Sequence, residues 1–531
     1  MSQTPQEIVP SKADITPSQI EMDPEMYEKR FKFIFLLSLF CVECAIIGLY
    51  ALISYNHNYG VPDLMAPIPK SKYLRPFPIL TIMNYYWIHI DASIFMLLGY
   101  GFLVVFLKSN RWMSLSMTFL ASALAIQLTL LWTAFWLCVN FKSWPRHFAP
   151  IDYGISNSIF FNYFGIRGAI AILISLGALI GKVDPLQVVI LTVLEVIIFT
   201  VNDMICNRMY YARDIGGCFY IHAFGSITGI VVSWIYSPKS SARNNPNMRY
   251  TYFSSTATFI GTFFLWISFP SFNSYNPTMN DNLPWNLCSI SLFNTFYSLT
   301  ASTISSMWIS FILNGGKLDW ESITFGSLSG GVIISASCDM FAYPWPPLLV
   351  GSLGGIISVL SLKLLVPNLE KLYLFDTRST LALHFIPSLF GMVVSCSQCC
   401  FLDTQYFQTY QLSQDYTLIR NGLLNGYTGY KQGLWNFVAF LISIAFGIGI
   451  GGIIGLIFRI WRFYELPREL YQGNLWWKTI EDLNFEQINR SNEVIVHADI
   501  IETKKPSPRE SEVVKVEVKK QKDKKLEDSK K

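Results

Sequence analysis

Two histidines lie deep in apolar sequence, and each follows an aspartate at the same spacing. Asp214 precedes His222 by eight residues, and Asp376 precedes His384 by eight. An aspartate at a helix start can accept the free N–H groups of the first turn. Eight helical residues then carry the histidine roughly 12 Å along the helix axis. The spacing therefore predicts two imidazoles at similar depths in two related helices.

Two neutral imidazoles brought together would have useful chemistry. Each offers one donor and one acceptor nitrogen, so the pair could bind one another and still relay a proton or hold a small polar molecule. The alternative is a pair of core histidines that only tie helices together. The matched spacing, with a glycine seven residues after each histidine, favours the functional interpretation.

The elements that position these residues are predicted to be membrane helices. Of the 531 residues 52% are hydrophobic and 14% are charged, against roughly 25% charged in soluble domains. A membrane helix needs about 20 apolar residues. Scanning on that length predicts an all-α polytopic membrane protein of about twelve spans, near 32–54, 86–107, 115–138, 156–181, 185–205, 215–237, 251–270, 285–313, 322–341, 344–366, 379–397 and 435–461.

The two histidine helices are the sixth and the eleventh of these spans, so each predicted repeat holds five helices. An odd number of spans inverts the second copy in the membrane. Inverted repeats that meet near the bilayer midplane are common in transport proteins. We therefore expect two inverted five-helix repeats preceded by one extra N-terminal helix.

Charge sets the predicted orientation and the ends of the membrane domain. Lys and Arg in short loops favour cytoplasmic termini. We expect an acidic N-terminal tail at 1–31, a membrane domain at 32–463 and a cytoplasmic tail at 464–531 that is Lys-rich and disordered at its end. Interspersed acids argue against nucleic-acid binding. The plasma membrane is the expected location.

Ionisable groups within membrane spans are costly and are functional candidates by default. The candidates selected within the predicted spans are Glu43, Asp91, Arg167, Glu195, Asp203, His222, Asp339 and His384. No enzyme motif and no cofactor-binding or metal-binding pattern occurs among the chain's apolar helices. The cluster Cys396, Cys399 and Cys400 lacks a second ligand pair, which favours a structural role over a thiol or metal site.

Several motifs resemble the ammonium transporter and Rh glycoprotein superfamily. The segment from Asp214 to Gly229, with its Gly-Gly and Ile-His-Ala-Phe-Gly sequences, is similar to the fifth core helix of that superfamily. The match continues, in the same order along the chain, through Gly99–Phe102, Ala125–Gln127, Phe264–Phe272, Gly316–Asp319, Gly330–Gly331, Phe375–Thr377, His384 and Pro387. The additional N-terminal span is a trait of the Rh branch. The resemblance covers about residues 32–465.

The resemblance implies the ammonium-transporter fold, a homotrimer in lipid with a pore in each subunit, and conduction of ammonia or ammonium. His222 and His384 match the twin histidines of the pore. Asp214 matches the aspartate near the outer vestibule, Asp376 is its repeat mate, and Phe272 matches one of two stacked gate phenylalanines. The chain departs from the family at Ser379, Phe385 and Ser388, where glycines are usual, and has Arg378 beside Asp376.

The second gate position is the main departure. Counting back from Gly181 and Lys182 places the expected phenylalanine at Arg167. Alternatively the register slips by about one turn, so that Phe164 or Phe160 takes the gate and Arg167 faces another helix. The leading hypothesis is an ammonia or ammonium channel of Rh type. The alternative is a non-conducting Rh-like scaffold or sensor in which Arg167 alters the gate.

Overall fold

The computed structural model describes residues 24–53, 79–104, 111–140, 159–210, 212–237, 250–274, 285–401 and 429–460. Twelve long helices run through these ranges, and no strand occurs in them. They are α1 Pro24–Ile53, α2 Ile79–Ile94, α3 Arg111–Asn140, α4 Ile159–Leu179, α5 Pro185–Asp203, α6 Phe224–Tyr236, α7 Tyr252–Asn273, α8 Trp285–Leu313, α9 Trp320–Ile334, α10 Trp345–Leu360, α11 Ile386–Phe401 and α12 Gly429–Ile460.

Every predicted span coincides with one of these helices. Ten helices of the described ranges are long and apolar enough to cross a membrane, and α7 and α9 occupy the other two predicted spans. Large apolar side chains on α1, among them Phe33, Phe40 and Ile47, are exposed on the outside of the molecule. Such a surface is costly in water but suits lipid. The prediction of an all-α polytopic membrane protein is confirmed.

Several predicted boundaries differ from the structure by a few residues, and the clearest differences are at the start of α1 and the end of α9. α1 begins at Pro24, before the predicted start at 32. α9 ends at Ile334, so Asp339 lies in the link to α10 and not inside a span as predicted. The apolar run continues through this link without remaining helical. The predicted tail at 464–531 and the first 23 residues lie outside the described ranges.

Within the described ranges, five π-helical turns continue or precede the long helices. Phe95–Tyr100 continues α2, Met204–Met209 continues α5 and Ser361–Leu365 continues α10. The other two are the entrances to the helices that carry the histidines: Cys218–Ala223 precedes α6, and Leu381–Phe385 precedes α11. π-Helical turns are rare and occur often at functional sites.

The spacing of glycine after each histidine has a packing reason that is the same in both halves. Gly229 on α6 lies so close to α4 that a methyl group there would overlap the backbone carbonyl of Ser175. Gly391 on α11 lies equally close to α9, where a methyl group would come within 2.6 Å of the Ile333 carbonyl oxygen. Small residues permit such close helix approach in membrane proteins. The pairs α4–α6 and α9–α11 are therefore equivalent, as inverted repeats require.

Candidate functional site

Asp214 holds the turn that leads into the His222 helix. Its two carboxylate oxygens accept the backbone N–H groups of Cys218 at 2.6 Å and Phe219 at 2.7 Å. Gly217 between them has φ +77°, a left-handed conformation in which glycine is favoured. The helix therefore begins four residues after Asp214. His222 lies in its first turns, nearer the helix start than the sequence-based count of eight helical residues predicts.

Asp376 builds the same turn in the second repeat. Its carboxylate accepts the Leu381 backbone N–H at 2.8 Å and the Thr380 hydroxyl at 3.1 Å. Ser379 has φ +51° and occupies the position equivalent to Gly217, three residues after the aspartate. His384 follows in the π-helical turn. The two aspartates therefore have the same local function, which is to start the helix that carries the histidine.

The turns bring the two histidines together, as the repeat predicts. Their Nδ1 atoms are 3.2 Å apart, and the rings stack with centroids at 5.1 Å and an angle of 9°. Both side chains are buried, with His222 fully enclosed. One Nδ1 must donate and the other accept, so at least one imidazole is neutral. His222 Nε2 has no hydrogen-bond partner among the described residues.

A closed circuit of five buried rings surrounds this contact, which we call the five-ring cluster: Phe95, Phe272, His222, His384 and Tyr100. Phe95 and Phe272 stack at 4.8 Å and 10°. Phe272 meets His222 edge-on at 6.4 Å, and Tyr100 stacks on His384 at 6.0 Å. Phe95 and Tyr100 close the circuit at 5.7 Å. Phe95 and Phe272 form the phenylalanine end of the cluster. Tyr100, at the other end of the π-helical turn that continues α2, forms the tyrosine end.

Sequence comparison identifies the family to which this arrangement belongs. The model of the Ammonium Transporter Family matches residues 73–467. This chain belongs to that family. It is 31% identical over 392 residues to ammonium transporter Rh type B-B of Xenopus laevis. This alignment covers 73% of this chain and 81% of the relative. Ammonium transporter Rh type B of Mus musculus is 30% identical over the same length, with 73% and 82% covered.

A solved structure supports the fold of this Rh-branch family member. The Nitrosomonas europaea Rh50 structure, from work on conduction by the Rhesus protein family of channels, matches with a TM-score of 0.59 at 20% identity. It covers 78% of this chain and 98% of that one. The predicted ammonium-transporter fold and the Rh branch are thereby confirmed. The family is one of transporters and not of enzymes.

Among the described residues of this Rh protein, the ring that stacks on Phe272 is Phe95, which is not one of the predicted site residues. Phe164 instead packs with Leu130, Leu131 and Met204. The side chain of Phe160 lies outside the described residues. Phe164 therefore does not provide the ring that stacks on Phe272, and the alternative with Phe160 stays a prediction.

Arg167 is buried beside the Asp214 turn and not between the two phenylalanine rings. Its Nη2 donates to the Ile215 carbonyl at 3.2 Å, and its guanidinium lies 4.8 Å from the Tyr220 ring centroid. It also interacts electrostatically with Asp214. The guanidinium is thus bound to the turn that precedes α6, where the carboxylate and the ring face partly balance its charge.

A second buried guanidinium lies beside the Asp376 turn. Arg378 Nη2 donates to the Leu103 carbonyl at 2.6 Å, and its guanidinium lies 4.9 Å from the Phe325 ring centroid. Lys182, in the link between α4 and α5, donates to the Phe375 carbonyl at 2.6 Å and to the Ser233 hydroxyl at 2.7 Å. Burial lowers the pKa of Lys182 to about 7. These contacts connect the Asp376 turn to the segment at Leu103, to α9, to the link between α4 and α5 and, through Lys182, to α6.

The other ionisable candidates all have polar partners: some lie on another helix, one lies in the same helix and one in a link. Gln127 donates to Glu43 at 3.4 Å, Asn207 to Asp203 at 2.7 Å, and Ser271 to Asp91 at 2.5 Å. Ser175 donates to Glu195, and Arg213 forms a buried ion pair of 2.9 Å with Asp339. The contacts of Glu43, Asp91 and Glu195 join pairs of helices, Asp203 is bound within its own helical segment, and Asp339 joins two links. Asp91 binds Ser271, the residue before Phe272 of the five-ring cluster.

The cysteine cluster also has packing contacts. Cys396 Sγ donates to the Gly433 carbonyl at 3.2 Å, which ties α11 to α12, and Cys399 is buried at the same interface. Within the described ranges, no group of three or more His, Cys, Asp and Glu residues is arranged to hold a metal ion. The structural role stays the prediction for these cysteines.

Proposed function

We propose that this protein conducts ammonia or ammonium across a membrane, and that the route passes through the five-ring cluster. One observation carries the proposal. His222 is fully buried, and its Nε2 has no hydrogen-bond partner among the residues that the structure describes, while its Nδ1 is bound to a second histidine. A buried polar atom without a hydrogen bond costs about 1–3 kcal/mol of stability. Because an apolar side chain would avoid this cost, packing alone does not explain why the histidine is there.

The chemistry of ammonia suits this site. Ammonia is small, accepts one hydrogen bond and donates up to three, so it can bind an imidazole nitrogen of either tautomer. The apolar rings exclude water, and the two aspartate turns hold the histidines at a fixed separation. We propose that Phe95 and Phe272 form the gate at the phenylalanine end. With cytoplasmic termini in a plasma membrane, that end faces outward, and membership of the family supports a homotrimer.

The burial of the cluster and the two guanidiniums favour a second candidate function. All five rings are at most 3% exposed, and Arg167 and Arg378 are buried beside the two aspartate turns. A protein closed in this way would serve as a non-conducting scaffold or sensor. The position of Arg167 against Tyr220, and not on Phe272, favours conduction over this alternative.

The test is ammonia-driven pH change in proteoliposomes measured by stopped flow. We expect fast alkalinisation with the wild type and a strong loss when both His222 and His384 are replaced by leucine, which keeps the volume and removes the nitrogens. His89→Leu, a half-buried histidine outside the pair, is the matched control and should retain the flux. Equal flux in the double variant and the wild type would contradict the proposal.

A further inference from the structure

Tyr100 extends the histidine pair into a chain of three hydrogen-bonding groups. Its hydroxyl oxygen lies 3.1 Å from His384 Nε2, and its side chain is buried at the tyrosine end of the five-ring cluster. His384 therefore has partners at both ring nitrogens: Tyr100 at Nε2 and His222 at Nδ1. The hydrogen-bonded chain runs from the Tyr100 hydroxyl through both imidazoles to His222 Nε2, for which the described part of the protein offers no partner.

Counting polar hydrogens leaves two arrangements of this chain. The neutral groups carry three polar hydrogens, one on the phenol and one on each imidazole. Two of these hydrogens are used in the two internal hydrogen bonds. The third must lie at one end, either on the Tyr100 hydroxyl pointing away from His384 or on His222 Nε2. The arrangement at Tyr100 therefore determines whether His222 Nε2 is a donor or an acceptor.

The acid–base character of the groups selects between the two arrangements. A phenol is a stronger acid than a neutral imidazole, and an imidazole nitrogen is a stronger base than a phenol oxygen. The bond O–H to nitrogen is therefore favoured over the bond N–H to phenol oxygen. Tyr100 then donates to His384 Nε2, His384 Nδ1–H donates to His222 Nδ1, and the remaining hydrogen lies on His222 Nε2.

We propose that Tyr100 is a positioning residue that fixes the tautomers of both histidines, so that His222 presents an Nε2–H donor to the substrate. The tautomer assignment rests on the contact geometry and on the acid–base order of phenol and imidazole, whereas its consequence for substrate rests on the proposed function. An N–H donor binds a small uncharged base through its lone pair. Ammonium has four N–H donors and no lone pair, so it finds no acceptor at this atom. Tyr100 thereby makes the histidine pair selective for the neutral form.

The test is ¹⁵N solid-state nuclear magnetic resonance on the full-length protein, labelled at histidine and reconstituted in lipid vesicles. Six histidines occur in the chain, and His222→Asn and His384→Asn variants assign the two signals. For the wild type we expect protonated Nε2 in His222 and protonated Nδ1 in His384. The reverse tautomers in the wild type would overturn the proposal.

Tyr100→Phe keeps the ring and removes the hydroxyl, and we expect both tautomers of each histidine to appear in that variant. Tyr236→Phe is the matched control, because Tyr236 is on α6 and its hydroxyl hydrogen-bonds to Gln187 and not to a histidine. It should leave the histidine signals unchanged. Unchanged tautomers in Tyr100→Phe would also overturn the proposal.

Stopped-flow flux on the same vesicles separates this proposal from the proposed function. Absent ammonia flux together with the expected tautomers would contradict the function and support the tautomer assignment. Normal wild-type flux together with the reverse tautomers would support the function and refute the role of Tyr100.

Discussion

The two aspartate turns offer a prediction in which the chain contains its own comparison. Gly217 and Ser379 occupy equivalent positions with φ values of +77° and +51°. A left-handed conformation destabilises the folded state by about 1–2 kcal/mol when the residue has a side chain. Glycine avoids this strain, but the greater entropy of its unfolded chain opposes folding by about 0.5–1 kcal/mol. The difference predicts that Ser379→Gly raises the free energy of unfolding by about 0.5–1 kcal/mol.

Gly217→Ser, the reverse change in the first repeat, should alter the free energy of unfolding by more than this backbone difference alone. A side chain at Gly217 gains the left-handed strain and also overlaps the Ile221 side chain. Overpacking of this kind adds about 1–3 kcal/mol, so Gly217→Ser should lower the free energy of unfolding by about 2 kcal/mol.

The assay is reversible unfolding in mixed micelles followed by far-ultraviolet circular dichroism. Ser379→Ala is the control, because it removes the hydroxyl but keeps the side-chain carbon that makes the conformation costly. Its stability should stay below that of Ser379→Gly. Destabilisation by Ser379→Gly, or a neutral result for Gly217→Ser, would refute the argument that left-handed strain separates the two repeats.

Two further predictions concern the gate and a buried lysine. Phe95→Ala should lower the free energy of unfolding by about 3–5 kcal/mol and reduce the preference for ammonia over methylammonium in vesicle flux, because the ring stacked on Phe272 is lost. The control, Phe164→Ala, should also destabilise the protein but leave that preference unchanged. Equal preferences in the two variants would exclude Phe95 from the gate. The lowered pKa of Lys182 means that the native state binds fewer protons than the unfolded chain between about pH 7 and the ordinary lysine pKa of about 10.4. The free energy of unfolding should therefore rise from pH 7 to 9 by up to about 1 kcal/mol per pH unit more in the wild type than in Lys182→Met. An identical pH dependence of this free energy in both proteins would show that Lys182 does not lose its proton in this range.

The sequence predicts the helix that holds each histidine because apolar length and the Asp-to-His spacing are local signals. It also predicts the pairing of His222 with His384, since an odd number of helices per repeat inverts the second copy. The depth estimate was less accurate. That estimate treats all eight residue steps from Asp214 to His222 as helical, whereas the first four steps form the turn that ends at the helix start, Cys218.

Phe95 and Tyr100 could not be found from helical periodicity. Five residues advance an α-helix by about 140° beyond a full turn, which would place the two rings on different faces. The π-helical turn Phe95–Tyr100 changes that spacing and brings both rings into one cluster. No feature of the apolar sequence marks such a turn.

The partner of Asp339 was equally hidden from the sequence. Arg213 is distant in the chain and meets Asp339 only because the links before α6 and after α9 lie together. An ion pair of this kind depends on tertiary packing. Breaking a buried pair by removing one partner costs about 3–5 kcal/mol, so the contact contributes to the positions of the α6 and α9 ends.

The most direct test of the central claim is the ammonia permeability of wild-type proteoliposomes against lipid vesicles, with Arg167→Phe measured beside them. Because Arg167 lies against Ile215 and Tyr220 and not in the five-ring cluster, the account predicts fast flux in the wild type. No wild-type flux, with recovery in Arg167→Phe, would contradict it and identify a pore closed by a single arginine.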